Sequence, residues 1–324
     1  MEPVSVGTPL LWAGFAAFML VMLALDLFVL GGKTAHKVST KEALVWSIVW
    51  ITLSFIFTGL LWWYLDGTAG REVANDKALE FLTGYLIEKS LSVDNVFVFL
   101  MIFSFFHVPD EYQRRTLVFG VFGAIILRAV MILAGAYLVA KFHWILYVFG
   151  LFLAVTGFKM LIFADKKMNL EKNPVLKWMR RHLRITHEYH GEKFTVLRDG
   201  LRWFTPLFLV LMLIEISDVI FAVDSIPAIF AVTHDPFIVF TSNMFAIMGL
   251  RALYFLLAHI AGRFHLLKYG LALVLVFVGA KMLVVDFYKV PIGLALGIVA
   301  IIIAASVAAS LAATRNGNSA EPNS

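Results

Sequence analysis

The chain has 324 residues, of which 61% are hydrophobic and 15% are charged, whereas soluble domains average about 45–50% apolar and about 25% charged residues. This composition excludes a soluble globular domain and indicates a membrane protein with several spans. Cysteine is absent, so thiol chemistry and disulfides are excluded, and the net charge of +5 is concentrated in a few loops, which argues against a nucleic-acid partner.

Apolar stretches long enough to cross about 30 Å of hydrocarbon recur along the chain. They predict nine transmembrane helices, at about 9–30, 43–65, 80–106, 116–140, 144–163, 205–231, 237–260, 266–285 and 290–312. The predicted fold class is therefore an all-α membrane protein. The tail after Arg315 is rich in Asn, Gly and Ser and is expected to be disordered.

Lysine and arginine follow the first, third and seventh predicted spans and are most frequent in the loop 164–204. Because positive loops stay in the cytoplasm, this pattern predicts a multi-pass protein of the bacterial inner membrane with a periplasmic N-terminus and a cytoplasmic C-terminus. The loop either binds anionic lipid headgroups or forms a solvated linker with some amphipathic helix. Its His187, Glu188 and His190 are a weak pattern for a metal site.

Three motifs recur in the same order on the two sides of this loop. The matched residues are Glu88, Asp94 and Asn95 with Asp218, Asp224 and Ser225; Arg128 with Arg251; and Gly157 and Lys159 with Gly279 and Lys281. Each unit contains three predicted spans, so the second unit must enter the membrane from the opposite side. This is an inverted-topology repeat, an arrangement in which transporters bind substrate between the two units.

The repeat divides the chain into five predicted regions. These are 1–79, with the first two helices and a periplasmic loop; 80–163, the first three-helix unit; 164–204, the cytoplasmic basic loop; 205–286, the inverted second unit; and 287–324, the last helix and the tail.

The repeated acidic residues lie inside segments predicted to cross the bilayer. Each carboxylate in hydrocarbon costs roughly 2.5–3.5 kcal/mol, so a chain that carries them twice in the same order is expected to use them on a cation. Oxygen ligands favour Mn²⁺, Mg²⁺ or Ca²⁺ over copper. The candidate ligands are Asp26, Glu88, Asp94, Asn95, Glu215, Asp218, Asp224, Ser225 and Asn243.

Helical spacing places these acids on two faces. Asp94 and Asp224 each lie about 120° from the stripe that carries Glu88 in the first unit and Asp218 in the second. Pro227 removes a backbone hydrogen bond and is expected to kink the helix beside Asp224. The competing interpretation of the acids is structural, because buried arginines such as Arg128 and Arg251 can neutralise carboxylates without binding a substrate.

Four motifs of the chain resemble the TerC family of integral membrane proteins. They are 88–96 (EKSLSVDNV), 190–194 (HGEKF), 215–228 (EISDVIFAVDSIPA) and 242–255 (SNMFAIMGLRALYF). The resemblance runs from about Asp26 to Asp286. It implies a layout similar to the lysine-exporter superfamily, and it implies Mn²⁺ as a transported substrate, which the residue spacing by itself does not distinguish from Ca²⁺ or Mg²⁺.

These observations predict a secondary transporter that exports a hard divalent cation, Mn²⁺ by resemblance, through a mechanism in which protons can exchange at the same acids. No Gly-rich phosphate-binding motif or hydrolytic signature is found, so we expect no enzymatic activity and no cofactor. Expected partners are the metal ion and membrane lipids. A channel, and a membrane redox modulator or assembly factor without transport activity, are the alternatives; the oligomeric state is left open.

Overall fold

The computed structural model describes residues 5–25, 38–142, 144–163, 170–198, 200–258, 266–288 and 290–318. The described helices are α1 Pro9–Leu25, α2 Thr40–Thr68, α3 Arg71–Phe105, α4 Asp110–Lys141, α5 Ile145–Phe163, α6 Pro174–His182, α7 Pro206–Phe230, α8 Pro236–Met248, α9 Leu250–Ala258, α10 Leu267–Leu283 and α11 Ile292–Asn318. Between α6 and α7, strands β1 (Thr195–Arg198) and β2 (Leu201–Phe204) form an antiparallel hairpin.

Each of the nine segments predicted to span the membrane contains helix in the structure. Six helical segments among the described residues are long and apolar enough to cross a membrane: 40–68, 110–141, 145–162, 206–230, 236–258 and 292–313. Helices α1 and α10 are shorter, with 17 residues each, and α3 carries several charged residues along its length. The chain is an all-α membrane protein.

α7 continues through Pro227 to Phe230, and the kink expected beside Asp224 stays a prediction. The segment 237–260, predicted as one helix, divides at Gly249 into α8 and α9. At this point the Lys89 ammonium lies against the backbone of Gly249 and donates a 3.4 Å hydrogen bond to the carbonyl of Ala246.

Two stretches contain more regular structure than predicted. The basic loop, from residue 170 on, contains the amphipathic helix α6, as expected, and also a β-hairpin that was not predicted. α11 continues beyond Arg315 to Asn318, and the rest of the tail lies outside the described residues.

The α8–α9 segment lies at the centre of the bundle. In its most apolar 18-residue stretch, 89% of the residues are buried within the protein. The corresponding share for α11 is 11%, and α11 lies at the periphery. α8 packs mainly against α3, α4 packs against α7, and α3 and α7 contact each other directly. Large apolar side chains such as Val130, Ile162 and Ile301 are exposed on the outer helices, as expected for surfaces that face lipid.

Among the described helices, α5 and α10 share the most extensive contact. The backbone of Gly150 lies against Gly279, and the backbone of Gly157 lies against Ala272 and Val276, so the two helices run antiparallel. A Cβ built on Gly157 would lie 2.7 Å from the carbonyl oxygen of Ala272. Small residues at such positions let membrane helices approach closely.

Candidate functional site

Helices α3 and α7 bring one carboxylate from each acidic motif to Arg128 on α4. The Asp218 carboxylate accepts two hydrogen bonds from Arg128, from Nε at 3.1 Å and from Nη2 at 2.9 Å. Nη1 of the same guanidinium donates to Glu88 and, at 3.3 Å, to the hydroxyl of Ser225. All four side chains are buried. We call this cluster of Glu88, Arg128, Asp218 and Ser225 the arginine clamp.

The arginine clamp carries more negative than positive charge when its carboxylates are ionised. One guanidinium faces two carboxylates, and the second carboxylate oxygen of Glu88 has no hydrogen-bond partner within the described part of the chain. Buried charges need both a counter-ion and satisfied hydrogen bonds to be tolerated. Arg128 thus provides a counter-ion for Glu88 and Asp218 in this conformation, while one oxygen of Glu88 stays without a hydrogen-bond partner in the described part of the chain.

Arg251, the residue matched to Arg128 by the repeat, does not join the arginine clamp. It lines a cavity between α2 and α9 together with Glu42 and Arg114. The two matched arginines therefore have different surroundings: Arg128 binds carboxylates from both acidic motifs, whereas Arg251 lines this cavity.

Asp94 and Asp224 form a second, separate group, as the spacing along their helices predicts. Both side chains are half-buried. The charged groups that act on Asp94 are Lys268 and Asp224, so the two acids lie within electrostatic range of each other. Asp224 has Thr156 of α5 as its hydrogen-bond partner and Lys159 as its nearby cation. Within the described residues neither acid forms an ion pair with an arginine. We call Asp94, Asp224 and Thr156 the aspartate pair site.

Three further predicted ligands belong to neither group and lie on α3, α7 and α8. Glu215 lies one turn before Asp218 on α7, and its carboxylate fills the space that a side chain on Gly123 would occupy. Asn95 and Asn243 are 2% and 0% exposed. The amide oxygen of Asn95 and both amide atoms of Asn243 lack a partner among the residues that the structure describes, which is unusual for buried polar groups.

Asp26, the ninth predicted ligand, lies outside the described residues. Within those residues no group of three or more His, Asp or Glu side chains is close enough to hold a metal ion, and this includes His187, Glu188 and His190. Five of the nine predicted ligands are therefore divided between the arginine clamp (Glu88, Asp218, Ser225) and the aspartate pair site (Asp94, Asp224) rather than gathered at one point.

Sequence reasoning missed two residues near these groups. Lys89 follows Glu88 directly in the chain, and its position inside a predicted span was a signal that it must lie near a carbonyl or a carboxylate. Nothing in the sequence indicated that the Thr156 hydroxyl would contact Asp224. Threonine commonly hydrogen-bonds within its own helix, and a contact with another helix is not visible in a local pattern.

A cluster at the other end of α3 was also missed. Glu80 receives hydrogen bonds from Lys77 at 2.8 Å and from Thr233 at 2.5 Å. Asp235 caps α8 and holds the N-terminal segment through Ser5 at 2.7 Å. The contacts tie the start of the chain to the α7–α8 connection.

The sequence profile of the integral membrane protein TerC family matches residues 73–318. This range contains both acidic motifs, the arginine clamp and the aspartate pair site. The chain belongs to the TerC family. No solved structure matches it.

Three bacterial relatives are similar to this chain over most of their length. An Escherichia coli K12 protein named "Putative membrane-bound redox modulator Alx" is 59% identical over 295 residues, which cover 91% of this chain and 92% of that protein. A membrane protein of Myxococcus xanthus is 50% identical over 296 residues, 91% of this chain and 90% of that protein. A Rickettsia felis membrane protein is 42% identical over 280 residues, 86% of this chain and 90% of that protein.

Proposed function

We propose that this TerC family protein is a secondary transporter of the bacterial inner membrane that exports a hard divalent cation, with Mn²⁺ as the substrate to test first. The family supports a role in the membrane, and carboxylates inside the helical bundle support a cationic substrate. Exchange for protons is the proposed coupling mode, because a carboxylate must lose its proton before it binds a metal.

The observation that carries this proposal is the aspartate pair site. Two like charges inside a helical bundle repel each other and lose hydration. An arginine in direct hydrogen-bond contact offsets this cost at the arginine clamp, whereas Asp94 and Asp224 have only the more distant charges of Lys268 and Lys159 and no ion pair within the described residues. A divalent ion held by both carboxylates would offset the cost there, and it would do so reversibly, as transport requires.

Two carboxylates are fewer ligands than a hard divalent ion normally takes. Further oxygen atoms near this level of the bundle come from the Thr156 hydroxyl and from the amide of Asn95, which is unpartnered in the described part of the chain. Asp26 stays a predicted ligand. Because no three-ligand set is assembled in the described conformation, we infer that metal binding requires a rearrangement of α3 and α7 relative to α5 and α10.

An inverted repeat would allow such a rearrangement, since transporters of this kind move one repeat unit against the other around a central site. The contacts between α5 and α10 are reciprocal, which supports the proposal: Gly150 contacts Gly279, the repeat match of Gly157, while Gly157 contacts Ala272, which is the match of Gly150. We propose nine spans, with the N-terminus in the periplasm and the C-terminus in the cytoplasm.

Ion flux into liposomes that contain only the purified chain tests the function. We expect saturable Mn²⁺ uptake, and we expect Asp94→Asn or Asp224→Asn to lower its rate at subsaturating Mn²⁺ at least about tenfold, the factor that corresponds to about 1.4 kcal/mol of binding free energy. The control is Asp286→Asn, which removes an acid whose partner is Tyr147 at the end of the bundle.

Unchanged Mn²⁺ flux in both aspartate variants would contradict the site. Flux that rises linearly with Mn²⁺ concentration and does not saturate would identify a channel instead of a carrier. Absence of flux for Mn²⁺, Ca²⁺ and Mg²⁺ in liposomes, with a correctly folded protein, would remove the transport proposal.

The printed name of the Alx relatives favours a second candidate, a membrane-bound redox modulator. This chain has no cysteine, so a redox function requires a bound redox group rather than thiols. The absorption spectrum of protein purified from native membranes tests this candidate: a visible band that bleaches on reduction supports it, and a spectrum with only the aromatic band contradicts it.

A further inference from the structure

The segment 170–204 is a folded unit attached to one end of the bundle. Tyr189 donates a 2.7 Å hydrogen bond to the carbonyl of Phe106 in the α3–α4 connection, and burial raises the pKa of Tyr189 to about 12, so its hydroxyl remains a donor at neutral pH. The ring of Phe194 packs on Phe119 of α4 at 5.2 Å. These contacts hold the unit where α3 ends and α4 begins.

Helix α6 within this unit is strongly two-sided. Asn173 caps its start by accepting hydrogen bonds from Val175 and Leu176, and Pro174 occupies the first turn. Leu176 and Met179 are buried and share a hydrophobic core with Leu207 and Val210 in the first two turns of α7. α6 therefore lies beside the point where α7 enters the apolar part of the bundle.

The opposite face of α6 is basic and carries an exposed tryptophan. At 100° per residue, Lys177, Trp178, Arg181 and His182 lie on the side away from Leu176 and Met179, and all four are exposed. Trp178 is 57% exposed, and its ring is stacked on His182 with 5.0 Å between the ring centres. α6 contains no acidic residue. We call these four side chains the basic face.

We propose that the basic face binds the headgroups of anionic phospholipids in the bilayer that the chain spans, with the Trp178 indole at the level of the headgroups. Three observations carry the proposal: the charge of the face is uniformly positive, its exposed aromatic ring is of the type enriched at membrane–water interfaces, and α6 lies beside the entry of α7 into the bundle. Lys and Arg side chains near an anionic membrane surface are attracted to it electrostatically. The proposal does not depend on cation transport.

Tryptophan quenching in nanodiscs tests the proposal with the full chain. The discs contain phosphatidylcholine and the same mole fraction of either brominated phosphatidylglycerol or brominated phosphatidylcholine. Because the chain has eight tryptophans, the emission of Trp178 is obtained as the difference between the native chain and Trp178→Phe. We expect this difference emission to be quenched more by the brominated phosphatidylglycerol.

The preference for phosphatidylglycerol is expected to be lost in the double variant Lys177→Gln and Arg181→Gln. The matched control is the double variant Arg71→Gln and Lys141→Gln. It removes two cations at the start of α3 and the end of α4, away from α6, and is expected to retain the preference. The other seven tryptophans report folding in each variant, since those in the bundle stay quenched by both lipids as long as the bundle is intact.

Two outcomes would overturn the proposal. Difference emission that neither lipid quenches would show that Trp178 faces water, as it would if the basic face bound an acidic protein instead. Equal quenching by the two lipids at low ionic strength, where charge attraction is least screened, would show contact with the bilayer but no recognition of anionic headgroups.

Discussion

At the scale of single residues, Arg128 has the largest structural consequence. Its guanidinium is 1% exposed and has carboxylate partners on both α3 and α7. Removing one member of a buried ion pair leaves an uncompensated charge, whereas replacing all members with neutral groups does not. The arginine clamp therefore holds the two acidic helices together, whereas Asp94 and Asp224 of the same helices form no ion pair with an arginine in the described structure.

We expect Arg128→Gln to destabilise the protein by about 3–5 kcal/mol, because Glu88 and Asp218 lose their shared counter-ion. The triple variant Arg128→Gln, Glu88→Gln and Asp218→Asn should recover a large part of this loss, since no buried charge remains in the cluster. Thermal unfolding in detergent, followed by intrinsic fluorescence, measures both changes.

Arg71→Gln is the control for this prediction. Arg71 also forms an arginine–carboxylate pair, with Asp66, but its side chain is 66% exposed, and exposed pairs contribute little to stability. Equal loss of thermal stability in Arg71→Gln and Arg128→Gln would contradict the role given to the arginine clamp.

At the scale of helices, the α5–α10 contact depends on residues without side chains. A Cβ on Gly279 would lie 2.6 Å from the backbone nitrogen of Ala154, and one on Gly157 would lie 2.7 Å from a backbone carbonyl oxygen. Neither neighbour can rotate away as a side chain could, so the helices themselves would have to separate. The close contact is thus a property of this helix pair and not of either helix alone.

We expect Gly157→Ala and Gly279→Ala each to destabilise the protein by about 1–3 kcal/mol, the usual cost of overpacking. Gly293→Ala and Gly297→Ala in α11 are matched controls, because a Cβ at either position meets nothing within 4 Å. The melting temperatures of the four variants in the same detergent test this. A larger drop in melting temperature for the α11 variants than for the α5 and α10 variants would contradict the close packing of α5 against α10.

At the scale of the whole molecule, the proposed topology makes a prediction about sidedness. Single cysteines can be placed in the native background because the chain has none. Ala69 and Tyr288 are exposed in the α2–α3 and α10–α11 connections, and Glu188 is exposed in the segment 170–204. We expect a membrane-impermeant maleimide to label Ala69→Cys and Tyr288→Cys in spheroplasts, and Glu188→Cys only after permeabilisation.

Labelling of Glu188→Cys in intact spheroplasts would contradict the proposed orientation. Labelling of Ala69→Cys and Tyr288→Cys from different sides would contradict the nine-span count, because six predicted spans separate the two positions and an even number of crossings places both on the same side of the membrane. The expression level of each variant, measured in permeabilised cells, serves as the reference.

Because the two acidic motifs repeat in the sequence, the candidate acids could be named and assigned to helix faces from the sequence. The separation of Asp94 and Asp224 from Glu88 and Asp218 follows from helical spacing alone, and the structure agrees. The sequence did not predict that Arg128 pairs with both Glu88 and Asp218. The symmetric pattern of the repeat suggests one arginine for each acidic motif. The partners of Arg128 lie 40 and 90 positions away in the chain.

The sequence by itself determined the membrane class, the helical segments and the two acidic motifs. These follow from composition and local periodicity, because a bilayer requires apolar side chains and internally hydrogen-bonded backbone over every span. Only the tertiary structure decided which carboxylates share Arg128, that the buried segment breaks at Gly249 beside Lys89, and that α6 docks on the bundle with its basic face outward. Each of these depends on contacts between distant residues, where packing and charge compensation outweigh local preference.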